Sequence, residues 1–229
     1  MQTVDIIIPV YNEEKTLENI LEILENTDFC GLNKNFIIVD DCSTDATREI
    51  LKRYEEKYTI VYKETNGGKG SAVYEGFKAV KADIVIIQDA DLEYNPADYT
   101  PLLKLIKDGE ADVVYGSRFL GTPFKDFMFL SYVANKFLTL LTNILYGTKL
   151  TDMETCYKAM KREFVQDMNI NSRKFDLEPE ITAKLVKKGA KIKELPIKYN
   201  ARSYEEGKKI TWKDGLMAIR ALFYYRFFD

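Results

Sequence analysis

The sequence contains no histidine. That absence excludes a Ser-His-Asp triad, a Cys-His pair, any His-ligated zinc and any histidine general base. Whatever chemistry the chain performs must rest on carboxylates, Lys, Arg, Tyr, Cys or a bound metal. Cysteine is scarce as well. Cys30, Cys42 and Cys156 are widely spaced and odd in number, which fits no zinc or redox motif and reads as three reduced thiols of a cytosolic protein. No uninterrupted apolar run reaches the roughly eighteen residues of a membrane-spanning helix. No charged n-region precedes the first strand, so no signal peptide is expected. Charge of one sign is not in excess either: 33 Lys and Arg against 36 Asp and Glu leave a net charge of −3, without the basic footprint of a nucleic-acid binder.

What is present is an ordinary core-forming composition, 46% hydrophobic and 30% charged over 229 residues, which suits one domain with a modest appendage. The first half alternates apolar β-branched runs with helical patterns. Strands are expected at Val4–Val10, Asn35–Val39, Thr59–Lys63, Asp83–Gln88 and Asp112–Gly116. Helices are expected from Asn12 to about Asn26, from a Ser43-Thr44-Asp45 cap to about Lys57, after the Asn66–Gly70 turn, and from Pro96 to near Gly109. Short apolar strands alternating with helices predict an α/β fold with a mostly parallel central sheet, covered by helices on both faces. The second half reads as an aromatic stretch from Phe124 to Tyr146, a helix around Glu178–Lys188, a strand at Lys191–Leu195 and an aromatic C-terminal helix over 211–228. The chain is therefore expected to be a single domain over 1–229, with a ligand-binding half at 1–120 and an extension at 121–229.

Ligands of such sheets lie beyond the carboxyl ends of the strands, and four polar clusters fall there: Tyr11-Asn12-Glu13, Asp40-Asp41, Asp89-Ala90-Asp91 and Gly116-Ser117-Arg118. The Asp89/Asp91 pair suits a hard divalent cation that shares its shell with substrate phosphates, or equally a strand-end turn. Asp40 and Asp41 suit hydrogen bonds to a nucleobase or ribose, beside helix capping by Ser43 or Asp45. Gly67-Gly68-Lys69-Gly70 lacks the spacing of a phosphate loop; it reads as a tight turn, free to let the backbone approach a ligand near Lys69. Arg118 places a cation on the rim, and Arg202, Lys208 and Lys209 place more on a late loop that reads equally as a solvated charge run.

Taken in order, these segments resemble family 2 glycosyltransferases of the GT-A fold, and within them the dolichyl-phosphate mannosyltransferase or polyprenyl-phosphate glycosyltransferase branch. The matching segments are Pro9-Val10-Tyr11-Asn12-Glu13, Asp40-Asp41-Cys42-Ser43-Thr44-Asp45, Asn66 to Ala72, Asp89-Ala90-Asp91 and Gly116-Ser117-Arg118. The resemblance implies nucleotide-sugar contacts from Pro9, Tyr11, Glu13, Val39, Asp41, Lys69, Asp89, Ala90 and Asp91. It implies a Mg²⁺ or Mn²⁺ held by Asp89 and Asp91, with Glu93 as a third acidic ligand where the branch often has Gln. Arg118, Arg202, Lys208 and Lys209 would bind donor and acceptor phosphates, with Asp91 and Arg118 carrying the catalysis. The late motif departs from the branch: it is two residues longer before its glycine and lacks a Ser. Lys125 and Lys136 stand where a second Arg is usual.

The expected activity is inverting transfer of a sugar from a nucleotide diphosphate sugar to a polyprenyl phosphate. A phosphate acceptor ionises with a second pKa near 6 and needs no general base, in keeping with the missing histidine. The alternative is transfer to a saccharide hydroxyl, with Asp152 or Glu154 as base. A lipid acceptor implies contact with a membrane surface, direct or through a separate anchoring partner, on the cytoplasmic side, and the chain is a candidate homo-oligomer. The aromatic stretches Phe124–Leu140 and Trp212–Phe227 are either interfacial or core helices.

Overall fold

The computed structural model describes residues 2–123, 129–200 and 212–228. Its strands are β1 (Thr3–Val10), β2 (Asn33–Asp40), β3 (Thr59–Tyr62), β4 (Ile84–Ile87), β5 (Val113–Ser117), β6 (Lys158–Lys161) and β7 (Ile192–Pro196). Its helices are α1 (Leu17–Asn26), α2 (Thr47–Lys52), α3 (Lys69–Ala79), α4 (Tyr99–Lys107), α5 (Arg118–Gly121), α6 (Phe129–Tyr146), α7 (Arg162–Val165), α8 (Leu177–Lys187) and α9 (Trp212–Phe227). A 3₁₀ turn at Pro96–Asp98 leads into α4, and the Asn95 side chain accepts from Ala97 N at its start.

The strands form one sheet in the order β3-β2-β1-β4-β6-β5-β7. All pairings are parallel except the two made by β6, which runs antiparallel between β4 and β5. Strand β4 is buried at every residue, as is the Val4–Ile8 stretch of β1, the signature of a sheet covered on both faces. Helix α1 buries Leu17, Ile20, Leu21 and Leu24, the i, i+3, i+4, i+7 stripe that its sequence predicts. Because β1, β2, β4 and β5 share one direction, their carboxyl ends open onto one rim.

Strand β6 has no counterpart in the sequence reading. Lys158-Ala159-Met160-Lys161 has lysines at both ends and no apolar alternation, yet Lys158 is fully buried. Two helix starts also differ from expectation. Helix α1 begins at Leu17 rather than Asn12, and α2 spans Thr47–Lys52 rather than starting at the Ser43–Asp45 cap and reaching Lys57. The expected cap residues are engaged with each other's loops. Asn12 N donates to Ser43 Oγ at 3.0 Å and Thr44 N to Asn12 Oδ1 at 2.8 Å. Glu13 N donates to Thr47 Oγ1 at 2.9 Å and Ala46 N to Glu14 Oε2 at 3.0 Å. This reciprocal lacing fixes the two loops that follow β1 and β2 as one unit.

The glycine turn before α3 is a seam to the second half of the chain. Gly68 adopts φ +83°, and a Cβ on Gly68 or Gly70 would lie 2.1 or 2.0 Å from the carbonyl oxygens of Arg173 and Ser172 respectively. At these two positions the close approach that glycine permits is to the chain's own backbone. Gly70→Ala is expected to lower stability by about 1–3 kcal/mol. Gly215→Ala, where the added methyl meets nothing within 4 Å in α9, should be neutral or stabilising. Urea denaturation of both variants checks the contrast.

Candidate active site

The rim is organised around the end of β4. Gln88 is fully buried and accepts from Tyr99 Oη at 2.6 Å and Tyr157 Oη at 2.8 Å, while its own amide holds the Asp89 carbonyl at 2.7 Å. Tyr157 stacks between Tyr94 and Tyr99, with centroids 4.6 and 4.5 Å away. This aromatic ladder fixes the strand end from below. Leu92 then adopts φ +63°, uncommon for a side chain of its kind, and bends the chain directly after Asp91. Asp91 Oδ1 accepts Glu93 N at 3.1 Å, so the turn-forming use of this acid is realised. Glu93 Oε2 accepts Tyr199 Oη at 2.8 Å, across a bridge that pairs Tyr94 with Tyr199.

Asp89 and Asp91 are both partly exposed on the rim. Lys69, from the first turn of α3, lies 2.7 Å from Asp89 Oδ1 and also donates to Cys156 Sγ at 3.1 Å. Burial alone would depress its ammonium pKa, but Asp89 and Glu178 outweigh that and hold it well above the usual lysine value. Cys156 is the converse: burial and the neighbouring Asp89 carboxylate push its thiol up, so it stays protonated.

On the β1–β2 side, Tyr11 is exposed, Pro9 and Glu13 are half-buried and Val39 is buried. Asp40 and Asp41 are both buried and both engaged. Asp40 takes Arg48 Nε at 2.6 Å and the Ser43 amide. Asp41 accepts from Gly67 N at 2.9 Å, from Gly68 N at 2.7 Å and from the Lys63 ammonium. Asp41 therefore pins the glycine turn to the end of β2.

Arg118 opens α5 directly after β5 and is buried against Asp152. The pair is bidentate, with Nε to Oδ2 at 2.7 Å and Nη2 to Oδ1 at 2.8 Å, and the Arg118 amide adds a third bond to Oδ2 at 2.9 Å. The guanidinium also lies over the Tyr199 ring, 5.2 Å from its centroid. Asp152 is held from its other side by Glu194 of β7, which accepts the Thr151 and Asp152 amides at 2.7 and 3.0 Å. The sequence reading of Asp152 as a base missed this partnership. The pair is 34 residues apart, and no local spacing signals it.

The same loop brings Glu154 to the rim. Its Oε1 is buried and has no hydrogen-bond partner. Burial, reinforced by Glu178 and opposed by Lys158 and Arg118, pushes its carboxyl up to about 8. Lys158, buried in β6, is committed to Glu178 and to the carbonyls of Met153 and Thr155. Sequence reasoning missed both: Glu178 sits in a segment that reads as an ordinary helix, and Lys158 in a short strand with no apolar alternation to mark it. Arg202, Lys208 and Lys209 lie outside the described residues, as does Lys125. Lys136 points to Thr151 O at 3.3 Å and lies over the Phe119 ring, with 4.4 Å from its ammonium to the centroid.

Among the described residues no group of three or more Asp, Glu, Cys or His side chains is arranged as a ready cation cage. Asp89 and Asp91 nevertheless fit Mg²⁺ or Mn²⁺ in the way nucleotide sites do. They are hard oxygen donors at an accessible strand end, and such ions need only one or two carboxylates when substrate phosphates complete the shell. The Lys69 ammonium against Asp89 shows that this position accepts a positive charge.

Comparison with known proteins agrees with the architecture. Residues 5–168 match the family described as glycosyl transferase family 2. The chain is 30% identical over 211 residues to a dolichol-phosphate mannosyltransferase of Pyrococcus furiosus, covering 90% of this chain and 58% of that protein. It is 29% identical over 228 residues to a UDP-N-acetylglucosamine–dolichyl-phosphate N-acetylglucosaminyltransferase of Methanococcus voltae, covering 90% and 89%. An uncharacterized protein of Methanocaldococcus jannaschii is 32% identical over 222 residues, with 89% and 93% covered. Among solved structures, glucosyl-3-phosphoglycerate synthase from Mycobacterium tuberculosis, in complex with Mn²⁺, UDP and phosphoglyceric acid, superposes with a TM-score of 0.75 at 18% identity. The match covers 100% of this chain and 80% of that one. The fold is GT-A.

A stability prediction follows from Glu154. Between the ordinary carboxyl pKa and about 8, the folded chain keeps a proton there that the unfolded chain releases. Its contribution therefore makes stability fall as pH rises from 5 to 8. Glu154→Gln should flatten that part of the curve, measured as urea midpoints at pH 5, 6, 7 and 8. An unchanged pH dependence would show that the carboxyl titrates normally.

Proposed function

The chain belongs to glycosyl transferase family 2, and on that premise we propose that it transfers a sugar, with inversion, from a nucleoside diphosphate sugar to a polyprenyl phosphate. The observation that carries this reading is the Arg118–Asp152 pair. A hydroxyl acceptor requires a base, and one of the two acids best placed for it, Asp152, is locked onto Arg118. What this part of the rim offers an acceptor is a guanidinium held in place by its paired carboxylate, a group whose donors match phosphate geometry. Relatives named for dolichyl phosphate, from Pyrococcus furiosus and Methanococcus voltae, support the same acceptor.

In this reading the loops after β1 and β2, laced together through Asn12, Ser43 and Thr47, receive the nucleoside beside Tyr11 and Asp41. The UDP-bound structural neighbour supports a nucleotide there. Asp89 and Asp91 would hold the cation, and Glu93 would lend a further carboxylate beside them. A divalent cation supplies charge stabilisation to the leaving diphosphate. Lys69, which pairs with Asp89, also has Glu178 as a counter-charge 3.9 Å away and would keep it if a cation took its place on Asp89. Arg118, fixed by Asp152, orients the acceptor phosphate, so that positioning supplies much of the rate. Arg202, Lys208 and Lys209 add positive charge to the same acceptor.

A lipid acceptor must be met at a membrane. No helix among the described residues is long and apolar enough to cross one. Helix α6 instead exposes Leu130, Val133, Phe137, Leu140 and Ile144 at three- and four-residue spacing. Helix α9 exposes Leu216, Phe223 and Phe227 beside it, tied to α6 through Tyr146 Oη to Leu222 O at 2.7 Å. These faces suit peripheral contact with a bilayer surface.

The second reading, transfer to a saccharide hydroxyl, draws on one observation: Glu154 has an oxygen without a partner and could act as base. The decisive assay uses labelled sugar nucleotides with Mg²⁺ and either polyprenyl phosphate or an oligosaccharide. Transfer to the lipid phosphate is expected. It should fall by at least about 100-fold in Asp91→Asn or with a chelator. With the acceptor in vesicles, Phe137→Glu should lose transfer that persists on a detergent-dissolved acceptor. Transfer to the oligosaccharide alone would overturn the proposal.

A further inference from the structure

Asp152, Glu154 and Cys156 alternate along one loop, and their two flanking members reach opposite sides of the rim. Asp152 grips Arg118 on the acceptor side. Cys156 accepts from Lys69, which is paired with Asp89 on the donor side. Glu154 lies between them in the loop, within reach of the charges of Arg118 and Asp152 on the acceptor side. Its environment is unusual for a carboxylate. Oε1 is buried without a hydrogen-bond partner. The charged groups that act on it are Arg118 from α5, Asp152 from its own loop, Lys158 from β6 and Glu178 from α8. Both cations in that set are already committed, Arg118 to Asp152 and Lys158 to Glu178 and two carbonyls. An ionised Glu154 would set a half-buried charge beside Glu178 and Asp152, with the two nearby cations already paired to those same acids, which is costly. A neutral carboxylic acid costs far less, and it carries an O–H that still needs an acceptor.

We propose that Glu154 serves the acceptor site as a neutral acid, donating a hydrogen bond to the phosphate of the incoming acceptor. Its protonation is then a condition of acceptor binding. This rests on the lipid-phosphate reading. Arg118 alone, already neutralised by Asp152, offers an incoming dianion little net charge, and the Glu154 O–H supplies a second, directional contact. Once ionised, the same side chain would repel the phosphate. In the transfer step a phosphate oxygen forms the new bond to the anomeric carbon. The bond from that carbon to the diphosphate oxygen breaks, and its electron pair leaves with the nucleoside diphosphate. Glu154 keeps its proton throughout, so it is not a general base.

The test is the pH dependence of KM for a short-chain polyprenyl phosphate in detergent, for the wild-type chain and Glu154→Gln. The acceptor's second ionisation, near pH 6, is complete above pH 8 and contributes no change there. With the Glu154 carboxyl pushed up to about 8, the competent fraction falls about tenfold between pH 7 and 9, and the wild-type KM should rise by about that factor. Glu154→Gln keeps a donor of similar shape. It should lose the alkaline rise, so that its own KM at pH 9 stays within about threefold of its KM at pH 7. A kcat loss of about 100-fold or more in Glu154→Gln at pH 7, with KM unchanged, would make Glu154 a base and overturn the proposal. A wild-type KM that stays flat to pH 9 would also overturn it, whatever the variant does. No wild-type transfer to polyprenyl phosphate at any pH would instead remove the acceptor reading itself, and this proposal with it.

Discussion

The bidentate grip of Asp152 on Arg118 is the interaction on which the rim depends. It ties the end of β5 to the loop that leads into β6, and that loop in turn reaches α6, Tyr94 and Lys69. Thr151 Oγ1 meets Ser117 Oγ at 2.7 Å, Met153 N reaches Thr139 of α6 at 3.1 Å, and Cys156 N reaches Tyr94 Oη at 3.2 Å. Lys158 then anchors the loop to Glu178 of α8. A buried ion pair of this kind adds little net stability, because desolvation offsets its attraction, but removing one partner strands the other at a cost of about 3–5 kcal/mol. Its value here is geometric. It fixes a guanidinium at the end of β5 while the aromatic ladder under Gln88 fixes two carboxylates at the end of β4.

Both sides are shaped by competition for a small number of charges. Asp40, Asp41 and Asp89 each hold a cationic side chain from elsewhere in the chain: Arg48, Lys63 and Lys69. These three acids of the rim are thus pre-paired. Glu154 differs in having a buried oxygen with no partner among its neighbours. The absence of histidine sharpens that difference, since no imidazole is present to titrate near neutrality. A carboxyl shifted upward by burial is the group left to do so.

The rim itself was legible in the sequence because its components are local. A strand of β-branched residues followed by an acid is readable in a short window, and four such windows in one α/β pattern place their ends together. The seam glycines were legible as a turn, but their partner, the Ser172–Arg173 backbone, was not. Pairings across long separations left no periodic trace. Asp152 looked like a free acid, Asp41 like an unengaged acceptor, and Lys158-Ala159-Met160-Lys161 carried no pattern to mark a strand between β4 and β5. The caps misled for the same reason. Ser43 and Asn12 are good helix-capping residues, and each instead serves the other's loop. Local preference selects a residue type for a polar job, and tertiary contacts decide which backbone receives it.

The claim that Asp152 acts through Arg118, rather than on the acceptor directly, is open to one direct measurement. A double-mutant cycle of Arg118→Lys and Asp152→Asn, read as kcat and KM for polyprenyl phosphate, reports the coupling between them. The account predicts that each single variant raises the acceptor KM and that the double variant is scarcely worse than either alone. Losses that multiply, or an Asp152→Asn variant whose kcat collapses with its KM unchanged, would contradict it.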